Sequence, residues 1–500
     1  MAKIAGNKFI PQVFSVLMAG AISILALHSS VPWFDEIVLA DKPINWIMHG
    51  ENYGYVCPCT YNLLFPLLET VWFKILGASH LSACALSVFF ALASSIVLLH
   101  ILDRRGILGS LLGKMTFVTL FWGGWNMVWI VTNARPDTTV MLFTILLANE
   151  LIPPDDGKTI RPVWRSFLYA ILLTLTAPNS LPPLFFLGVV FLILSSPEQR
   201  KSLFIKGLLI ALGTGIAFAM MLAYYCIEKD LISFIGFYFQ YNNATNGSSA
   251  LQSLASAYRI DLAPVLMLAA ALLVFLLQRQ RAGRHFWLAV IFTALIPAQM
   301  SVSRYAIYYS WIFYVPAAII LATALSRLRT PIFGLLTILI ALVSLGGREI
   351  TQYRENGGKR TLYAACEKLI ADNAALFAPG TDVVVTEDIH GACGGVFYPV
   401  LTRGCRLWVR GPHILSVPDD ETRIRTQLEN AVPNREWSNR FLSYQRFAPQ
   451  LPDAGLFLFP TAESRATILP ILKDKGYRET SAPTPADGYP CFSTWVKTAY

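Results

Sequence analysis

Two adjacent acidic residues follow the first apolar segment of the chain. Asp35 and Glu36 lie in the stretch SVPWFDEIVLADKPINWIMHG, residues 30–50, which comes directly after an apolar run. Two carboxylates beside a membrane surface could act as a general base and its neighbour, or they could be solvated loop charge. Taken alone, the pair is better explained as loop charge, so a chemical role depends on polar groups elsewhere at the same surface.

Three further polar clusters lie at junctions between apolar segments. In TNARPDTTV, Arg135 could hold a phosphate with its planar fork of donors, and Asp137 could orient a substrate hydroxyl or cap the following helix. In APNS, Asn179 lies at a predicted hairpin tip, where a turn residue is the simpler interpretation. In SVSRYAIYYSWIFYVP, Arg304 is the only charge between two apolar segments and is well placed to meet a lipid phosphate.

The composition indicates a polytopic α-helical membrane protein. Of the 500 residues, 55% are hydrophobic and 14% are charged, whereas a soluble globular chain carries roughly 25% charged residues. The apolar runs end near residue 346, which predicts a transmembrane domain over residues 1–346 and a separate domain over residues 347–500. About eleven spans are predicted, over residues 9–30, 79–102, 107–131, 138–152, 166–178, 181–196, 203–226, 262–278, 286–302, 307–325 and 331–346.

Basic and acidic loops alternate along the first 346 residues, which predicts the orientation in the membrane. The positive-inside rule places the basic clusters in the cytoplasm, among them Lys3, Lys8, Arg104, Arg105, Arg161, Arg165, Arg200, Lys201, Arg279, Arg281, Arg327 and Arg329. The N-terminus is therefore predicted to be cytoplasmic, and the acid pair and the C-terminal domain to be outside. Since Lys and Arg nearly balance Asp and Glu in residues 348–500, the net charge of +9 does not indicate a nucleic-acid partner.

The first external loop, residues 31–78, contains one segment with helical periodicity. In CPCTYNLLFPLLETVWFKILG, residues 57–77, the apolar pattern is interrupted by Glu69 and Lys74, and Pro66 would break a membrane span. We therefore predict an amphipathic helix that lies in the outer membrane interface.

The C-terminal domain alternates between two kinds of pattern, which predicts a small α/β domain. Strands are expected in TDVVVTEDI, CRLWVRG and AGLFLFP, and helices in KRTLYAACEKLIADNAALF, DDETRIRTQLENAV and TAESRATILPILKDKG. An external location also permits disulfides, such as one between Cys393 and Cys405.

The order of these motifs resembles that of the GT-C glycosyltransferases. The motifs are DE after the first span, an HG..Y stretch with His49 and Tyr53, a segment ending in WFKILG, ARPD at the second external junction, and RY..YY with Arg304 and Tyr305. Within that superfamily, residues 1–346 look most like bacterial relatives of the protein O-mannosyltransferases and the lipid A aminoarabinose transferases. The resemblance implies transfer of a sugar from a polyprenyl-phosphate donor to an envelope lipid, glycan or protein acceptor, by an integral protein of the bacterial inner membrane.

The resemblance also implies roles for particular residues. Asp35 would be the catalytic base or acceptor-binding group, with Glu36 as its catalytic neighbour. The residues predicted to bind donor or acceptor are Arg135, Asp137, Arg304, Tyr305, His49, Tyr53 and Asn179. Many relatives have a Lys-Pro or His-Pro-Pro element where this chain reads PCTYN, so a phosphate-binding lysine is not expected from that loop. No cofactor is assigned, and the use of a divalent metal stays open.

Two other classes of function are alternatives. A multi-span transporter or flippase of a lipid-linked or envelope precursor would place ionisable groups near the membrane midplane, because its substrate must pass through. Here the polar groups gather at the outer ends of the predicted spans, which favours chemistry at the surface. The third class is a non-enzymatic assembly protein that binds partners through its C-terminal domain.

Overall fold

The structure of the protein is a computed structural model. It describes a few single positions and residues 9–32, 34–52, 63–152, 163–177, 197–235, 262–277, 311–326, 331–386, 393–409, 451–481 and 490–498. The helices are α1 (Ile10–Ser29), α2 (Phe34–His49), α3 (Leu64–Leu76), α4 (His80–Arg104), α5 (Leu111–Gly123), α6 (Trp125–Thr132), α7 (Asp137–Leu151), α8 (Trp164–Thr176), α9 (Pro197–Ile227), α10 (Leu231–Ile235), α11 (Ala263–Leu277), α12 (Trp311–Ser326), α13 (Ile332–Glu355), α14 (Gly357–Asp372), α15 (Cys393–Leu401) and α16 (Ala462–Asp474). The strands are β1 (Asp382–Val385), β2 (Arg406–Val409), β3 (Ala454–Phe459), β4 (Tyr477–Ser481) and β5 (Cys491–Lys497).

The chain forms two compact units, each built from several separate segments. The helical unit comprises Met1–Ser29, Cys84–Met221 and Tyr238–Thr351. The mixed unit comprises Ser30–Ala83, Leu222–Phe237 and Gln352–Tyr500. Residues 30–83 therefore group with the C-terminal region, and the domain boundary at residue 347 stays a prediction.

Helix packing and a few buried hydrogen bonds hold the helical unit together. Helix α5 packs against α1 and α12, α11 packs against α12, and α7 packs against α8. Trp122 donates from Nε1 to Ser15 Oγ at 2.9 Å, and Ser15 donates to Ser95 Oγ at 2.8 Å. Because these buried polar groups satisfy one another, they fix the register of α1, α4 and α5 at little desolvation cost.

The predicted span over residues 107–131 is broken at Gly124 into α5 and α6. A Cβ at Gly124 would collide with the ring of Tyr314, so only a glycine lets the ring approach the chain here. The Tyr314 hydroxyl donates to the carbonyl oxygen of Leu120 at 2.6 Å, which satisfies both groups. An aromatic side chain of α12 thus occupies the break between the two helices.

Three described helices are long and apolar enough to cross a membrane, namely His80–Arg104, Gln199–Ile227 and Ile332–Glu355. Shorter apolar helices are formed by Ile10–Ile24, Leu111–Gly123, Ala263–Leu276 and Trp311–Ser326. These lengths and compositions are those of an integral membrane protein. The predicted spans over residues 181–196 and 286–302 fall mostly outside the described residues, so the total of about eleven spans stays a prediction.

The mixed unit contains a five-stranded sheet with the strand order β2-β1-β3-β5-β4. Strand β1 pairs in parallel with β2 and β3, whereas β5 pairs antiparallel with β3 and β4. Helix α16 packs against β3 and β4, where Phe457, Trp495, Ile468 and Leu472 are completely buried. The expected α/β combination is therefore present in the C-terminal region.

In the C-terminal region, helix α15 and strands β4 and β5 have no counterpart in the sequence-based prediction. Strand β4 reads YRETS and is exposed after its first residue, so it lacks the apolar alternation that predicts a strand. The helix predicted in DDETRIRTQLENAV lies outside the described residues, apart from Arg425.

The segment after α1 is more helical than its sequence predicts. Asp35 and Glu36 lie not on a loop but in the first turn of α2, where the helix dipole stabilises negative charge. Ile37, Ala40 and Ile44 recur at helical spacing and are almost completely buried. Their burial explains why a helix forms in this segment.

Helix α3 confirms a helix within the predicted segment 57–77, whereas its position in the outer membrane interface stays a prediction. Its polarity is the reverse of that of a surface helix in a soluble protein. Glu69 is completely buried, while Leu67, Val71 and Ile75 are exposed by 47%, 52% and 71%. A helix with an exposed apolar face suits contact with a membrane surface. The acid, by contrast, points into the protein.

Candidate active site

Glu36 is a buried acid whose carboxylate is held by two other side chains of the mixed unit. The Tyr398 hydroxyl lies 2.6 Å from Oε1. Nδ1 of His80 lies 2.8 Å from Oε1 and 2.9 Å from Oε2. Because an ionised carboxylate only accepts hydrogen bonds, both partners donate to it. Such charge-assisted hydrogen bonds compensate for the lost hydration of a buried acid.

His80 connects Glu36 to the segment before α2. Its Nε2 lies 2.8 Å from Ser30 Oγ, while Nδ1 faces the carboxylate. Defined partners at both ring nitrogens fix the orientation of the imidazole. A hydroxyl, an imidazole and a carboxylate in this order form an arrangement in which the imidazole can accept a proton. The arrangement is thus capable of proton transfer at the start of α4.

Asp35 precedes Glu36 in the first turn of α2, and its side chain lies outside the described residues. Its role as a catalytic base therefore stays a prediction. The carboxylate of Glu36 is occupied by Tyr398 and His80. That occupancy suits a residue that orients its neighbours better than one that abstracts a proton from substrate.

Glu69 is a second buried acid in the same unit, on a helix that packs against α2. Among the described residues, neither of its carboxyl oxygens has a hydrogen-bond partner. Burial raises the pKa of Glu69 well above its ordinary value, and the nearby charge of Glu36 raises this pKa further. Glu69 therefore keeps its proton to a higher pH than an ordinary glutamate does.

The C-terminal end of α2 contacts the start of strand β2. Nε2 of His49 lies 3.4 Å from the carbonyl oxygen of Cys405, and a guanidinium nitrogen of Arg406 lies 3.4 Å from Glu51. Both ends of α2 are thus in contact with the C-terminal region. Binding of donor or acceptor by His49 stays a prediction.

Cys405 is a buried free thiol, so the disulfide suggested between Cys393 and Cys405 is not formed. Its Sγ lies 3.4 Å from the carbonyl oxygen of Ala378, to which it donates. Burial is the main reason that the pKa of the Cys405 thiol rises to about 11. Spacing in the sequence could not show that this sulfur is packed against a backbone carbonyl.

Arg135 and Asp137 form a buried ion pair in the helical unit, where α7 begins. Nε of Arg135 lies 2.7 Å from Oδ2 of Asp137. The guanidinium also lies 5.7 Å from the ring centroid of Trp129, and the Arg135 carbonyl accepts from Ser87 Oγ at 3.1 Å. The preceding residue, Ala134, has a φ of +47°, an uncommon conformation that often occurs at functional sites.

This pairing joins two residues for which the sequence suggested separate roles. Arg135 donates from Nε to the Asp137 carboxylate, and this hydrogen bond fixes the orientation of the whole planar guanidinium group. Donor or acceptor binding by these residues stays a prediction. The remaining predicted binding residues, Tyr53, Asn179, Arg304 and Tyr305, lie outside the described residues.

Glu36 and the side chains that interact with it, His80, Tyr398 and Glu69, are named the Glu36 cluster. His80, Tyr398 and Glu69 were not predicted as site residues from the sequence. His80 was visible only as a histidine at the end of a predicted span, and Glu69 only as an interruption of an apolar pattern. Tyr398 lies in FYPVL, which carries no chemical signal of its own. An acid within an otherwise apolar helical pattern was the one sequence signal that could have indicated such a cluster.

Solved structures with the same architecture decide the fold. ArnT from Cupriavidus metallidurans bound to undecaprenyl phosphate matches with a TM-score of 0.61 and 12% identity, over 97% of both chains. The chain has the GT-C fold. ArnT in the apo state matches with a TM-score of 0.54, 13% identity and the same coverage.

A second GT-C protein gives the same result. The mycobacterial arabinofuranosyltransferase AftD matches with a TM-score of 0.54 and 12% identity, over 98% of this chain and 42% of the AftD chain. No protein-family model and no curated protein matches this sequence. The resemblance inferred from short motifs is thus confirmed at the level of the GT-C fold, where identity is too low for a sequence match.

Proposed function

We propose that the protein is a glycosyltransferase that takes a sugar from a polyprenyl-phosphate donor and transfers it to an envelope lipid, glycan or protein at the extracytoplasmic membrane face. The likeness to ArnT with bound undecaprenyl phosphate, over 97% of both chains, is the observation that carries this proposal. The buried cluster around Glu36, which follows the first apolar helix, supports it with groups suited to proton transfer.

The chemistry assigns a task to each kind of side chain. Transfer from a lipid phosphate needs a base for the acceptor hydroxyl or amine, and cations for the charge of the departing phosphate. In this proposal Asp35 is the base, Glu36 fixes the turn that carries it, and Arg304 and Arg135 hold the phosphate. Arginine suits that task because its planar fork binds two phosphate oxygens at once.

The same proposal places the protein in the bacterial inner membrane, with the N-terminus in the cytoplasm and the C-terminal region outside. Donor lipid and acceptor then meet at the surface where the first external segment lies. The alternation of basic and acidic loops is the observation behind this orientation.

Release of undecaprenyl phosphate from donor tests the proposal without knowledge of the acceptor. Purified protein would be incubated with a panel of undecaprenyl-phosphate sugars and an envelope extract, and the freed lipid phosphate measured by mass spectrometry. We expect release from at least one donor, and a loss of roughly 10²- to 10⁴-fold in Asp35→Asn. Asp372→Asn, an exposed acid on α14, is the matched control and should keep full activity.

Two results would count against this function. If Asp35→Asn released undecaprenyl phosphate at the wild-type rate, Asp35 would not be the base. Movement of intact donor across a vesicle membrane, with no undecaprenyl phosphate released, would favour a flippase instead.

A further inference from the structure

The C-terminal region contributes a side chain to the Glu36 cluster. We propose that Tyr398 is a positioning residue of the transfer site, holding the Glu36 carboxylate that orients His80 and the first turn of α2. This inference rests on the proposed function. It assigns the C-terminal region a part in transfer itself, rather than only in binding partners.

The hydrogen bond from Tyr398 is short, buried and directed at an occupied carboxylate. The hydroxyl lies 2.6 Å from Oε1 of Glu36, and only 7% of Tyr398 is exposed. The same Oε1 accepts from His80 Nδ1 at 2.8 Å. With donors from two directions the carboxylate has a single orientation, and so has the imidazole that depends on it.

Two glycines allow α15 to lie where Tyr398 can reach Glu36. A Cβ at Gly395 would lie 2.6 Å from Cα of Tyr363, and a Cβ at Gly394 would lie 2.6 Å from the Tyr363 hydroxyl oxygen. Only the two glycines allow α15 to lie so close to α14. Helix α15 also packs against α2, which brings Tyr398 to Glu36.

A consequence follows for the turn that carries Asp35. Asp35 and Glu36 are consecutive residues of one helical turn, so a change in the position of Glu36 displaces the backbone of both. Active-site groups act within narrow limits of distance, and small displacements lower the rate of the chemical step. Loss of the Tyr398 hydroxyl should therefore lower kcat and leave donor binding unchanged.

The experiment is a double-mutant cycle read by transfer rate and by amide exchange. Tyr398→Phe removes only the hydroxyl, Glu36→Gln alters its acceptor, and the double variant combines them. We expect kcat for undecaprenyl phosphate release to fall about tenfold in Tyr398→Phe, with KM for the donor unchanged. In the Glu36→Gln background the same change should have little further effect.

Amide exchange supplies a readout that does not need transfer. In Tyr398→Phe we expect faster exchange over residues 34–49 and unchanged exchange over residues 462–474. Tyr477→Phe is the matched control, because the hydrogen bond that its hydroxyl makes among the described residues goes to a backbone carbonyl, that of Pro452 at 3.3 Å. It should match the wild type in both measurements.

Several outcomes would overturn the inference. One is full activity in Tyr398→Phe, and another is an equal loss in both backgrounds, which would mean that the hydroxyl acts elsewhere. If the wild type releases no lipid phosphate, the proposed function fails, and amide exchange alone then tests whether Tyr398 positions Glu36 and α2. Faster exchange confined to α2 would then support it, whereas unchanged exchange, or faster exchange that includes α16, would overturn it.

Discussion

Replacing Glu69 by glutamine tests whether this buried acid is neutral in the folded protein. The side chain is completely buried, and neither carboxyl oxygen has a partner among the described residues. Burial, and then the charge of Glu36, raise the pKa of Glu69 well above its ordinary value. Glutamine has nearly the same shape as the protonated acid and cannot ionise, so Glu69→Gln imitates the neutral form at every pH.

The sign of the effect follows from proton binding in the two states. Below the ordinary glutamate pKa of about 4.3, the folded and unfolded states both hold the proton, and the variant should resemble the wild type. As the pH rises above that value, the unfolded wild type loses its proton while the folded state keeps it. Folding of the wild type then becomes less favourable by up to about 1.4 kcal/mol for each pH unit, until the raised pKa is reached.

The assay is thermal unfolding of detergent-purified protein between pH 5 and pH 8. We expect Glu69→Gln to melt at a higher temperature than the wild type, by a margin that grows with pH. Glu367→Gln, an exposed glutamate of α14, is the control and should show no growing margin. A margin that stays constant, or a variant that is less stable at pH 8, would mean that Glu69 is ionised and paired, and would refute the reasoning.

Two further predictions concern the packing of the C-terminal region. Gly395→Ala should lower the free energy of unfolding by about 1–3 kcal/mol, because its Cβ would collide with the Tyr363 backbone. Gly358→Ala is the control and should cause no such loss, because a Cβ at Gly358 has nothing within 4 Å. Equal melting temperatures for the two variants would contradict the close approach of α14 and α15. At pH 8 Cys405 should resist iodoacetamide until the protein is unfolded, because burial raises the pKa of its thiol to about 11. Peptide mass spectrometry would detect the alkylation, and rapid labelling of the folded protein would contradict the buried position.

The elements that could be predicted from sequence are those with a complete local signal. The helix in TAESRATILPILKDKG begins with Thr461 as N-cap, and Thr461 and Ser464 form reciprocal capping hydrogen bonds. The runs VVV and LFLF become the buried strands β1 and β3. In each case the residues that define the element are neighbours in the sequence, so a short window contains the whole cause.

Elements that depend on distant partners could not be predicted in this way. Helix α15 contains Gly394, Gly395 and Pro399, which are poor helix formers, and it is stabilised by packing on α14 and α2. The contact between Tyr398 and Glu36 joins residues 362 positions apart. The sequence could indicate that Glu36 lies near a reactive surface, but only the fold shows what holds its carboxylate.

Two of the buried acids of the mixed unit, Glu36 and Glu69, differ in how their charge is balanced. Glu36 has donors at both oxygens, so its negative charge is compensated by Tyr398 and His80. Glu69 has no such partner among the described residues, and a raised pKa lets it avoid ionisation instead. Two uncompensated carboxylates would repel a phosphate-bearing donor at the same surface. Among the other acids of α2 and α3, Glu36 and Asp41 accept hydrogen bonds from buried side chains, and Glu69 has a raised pKa. Asp35 is therefore the acid of these helices to which the proposed function assigns the role of base.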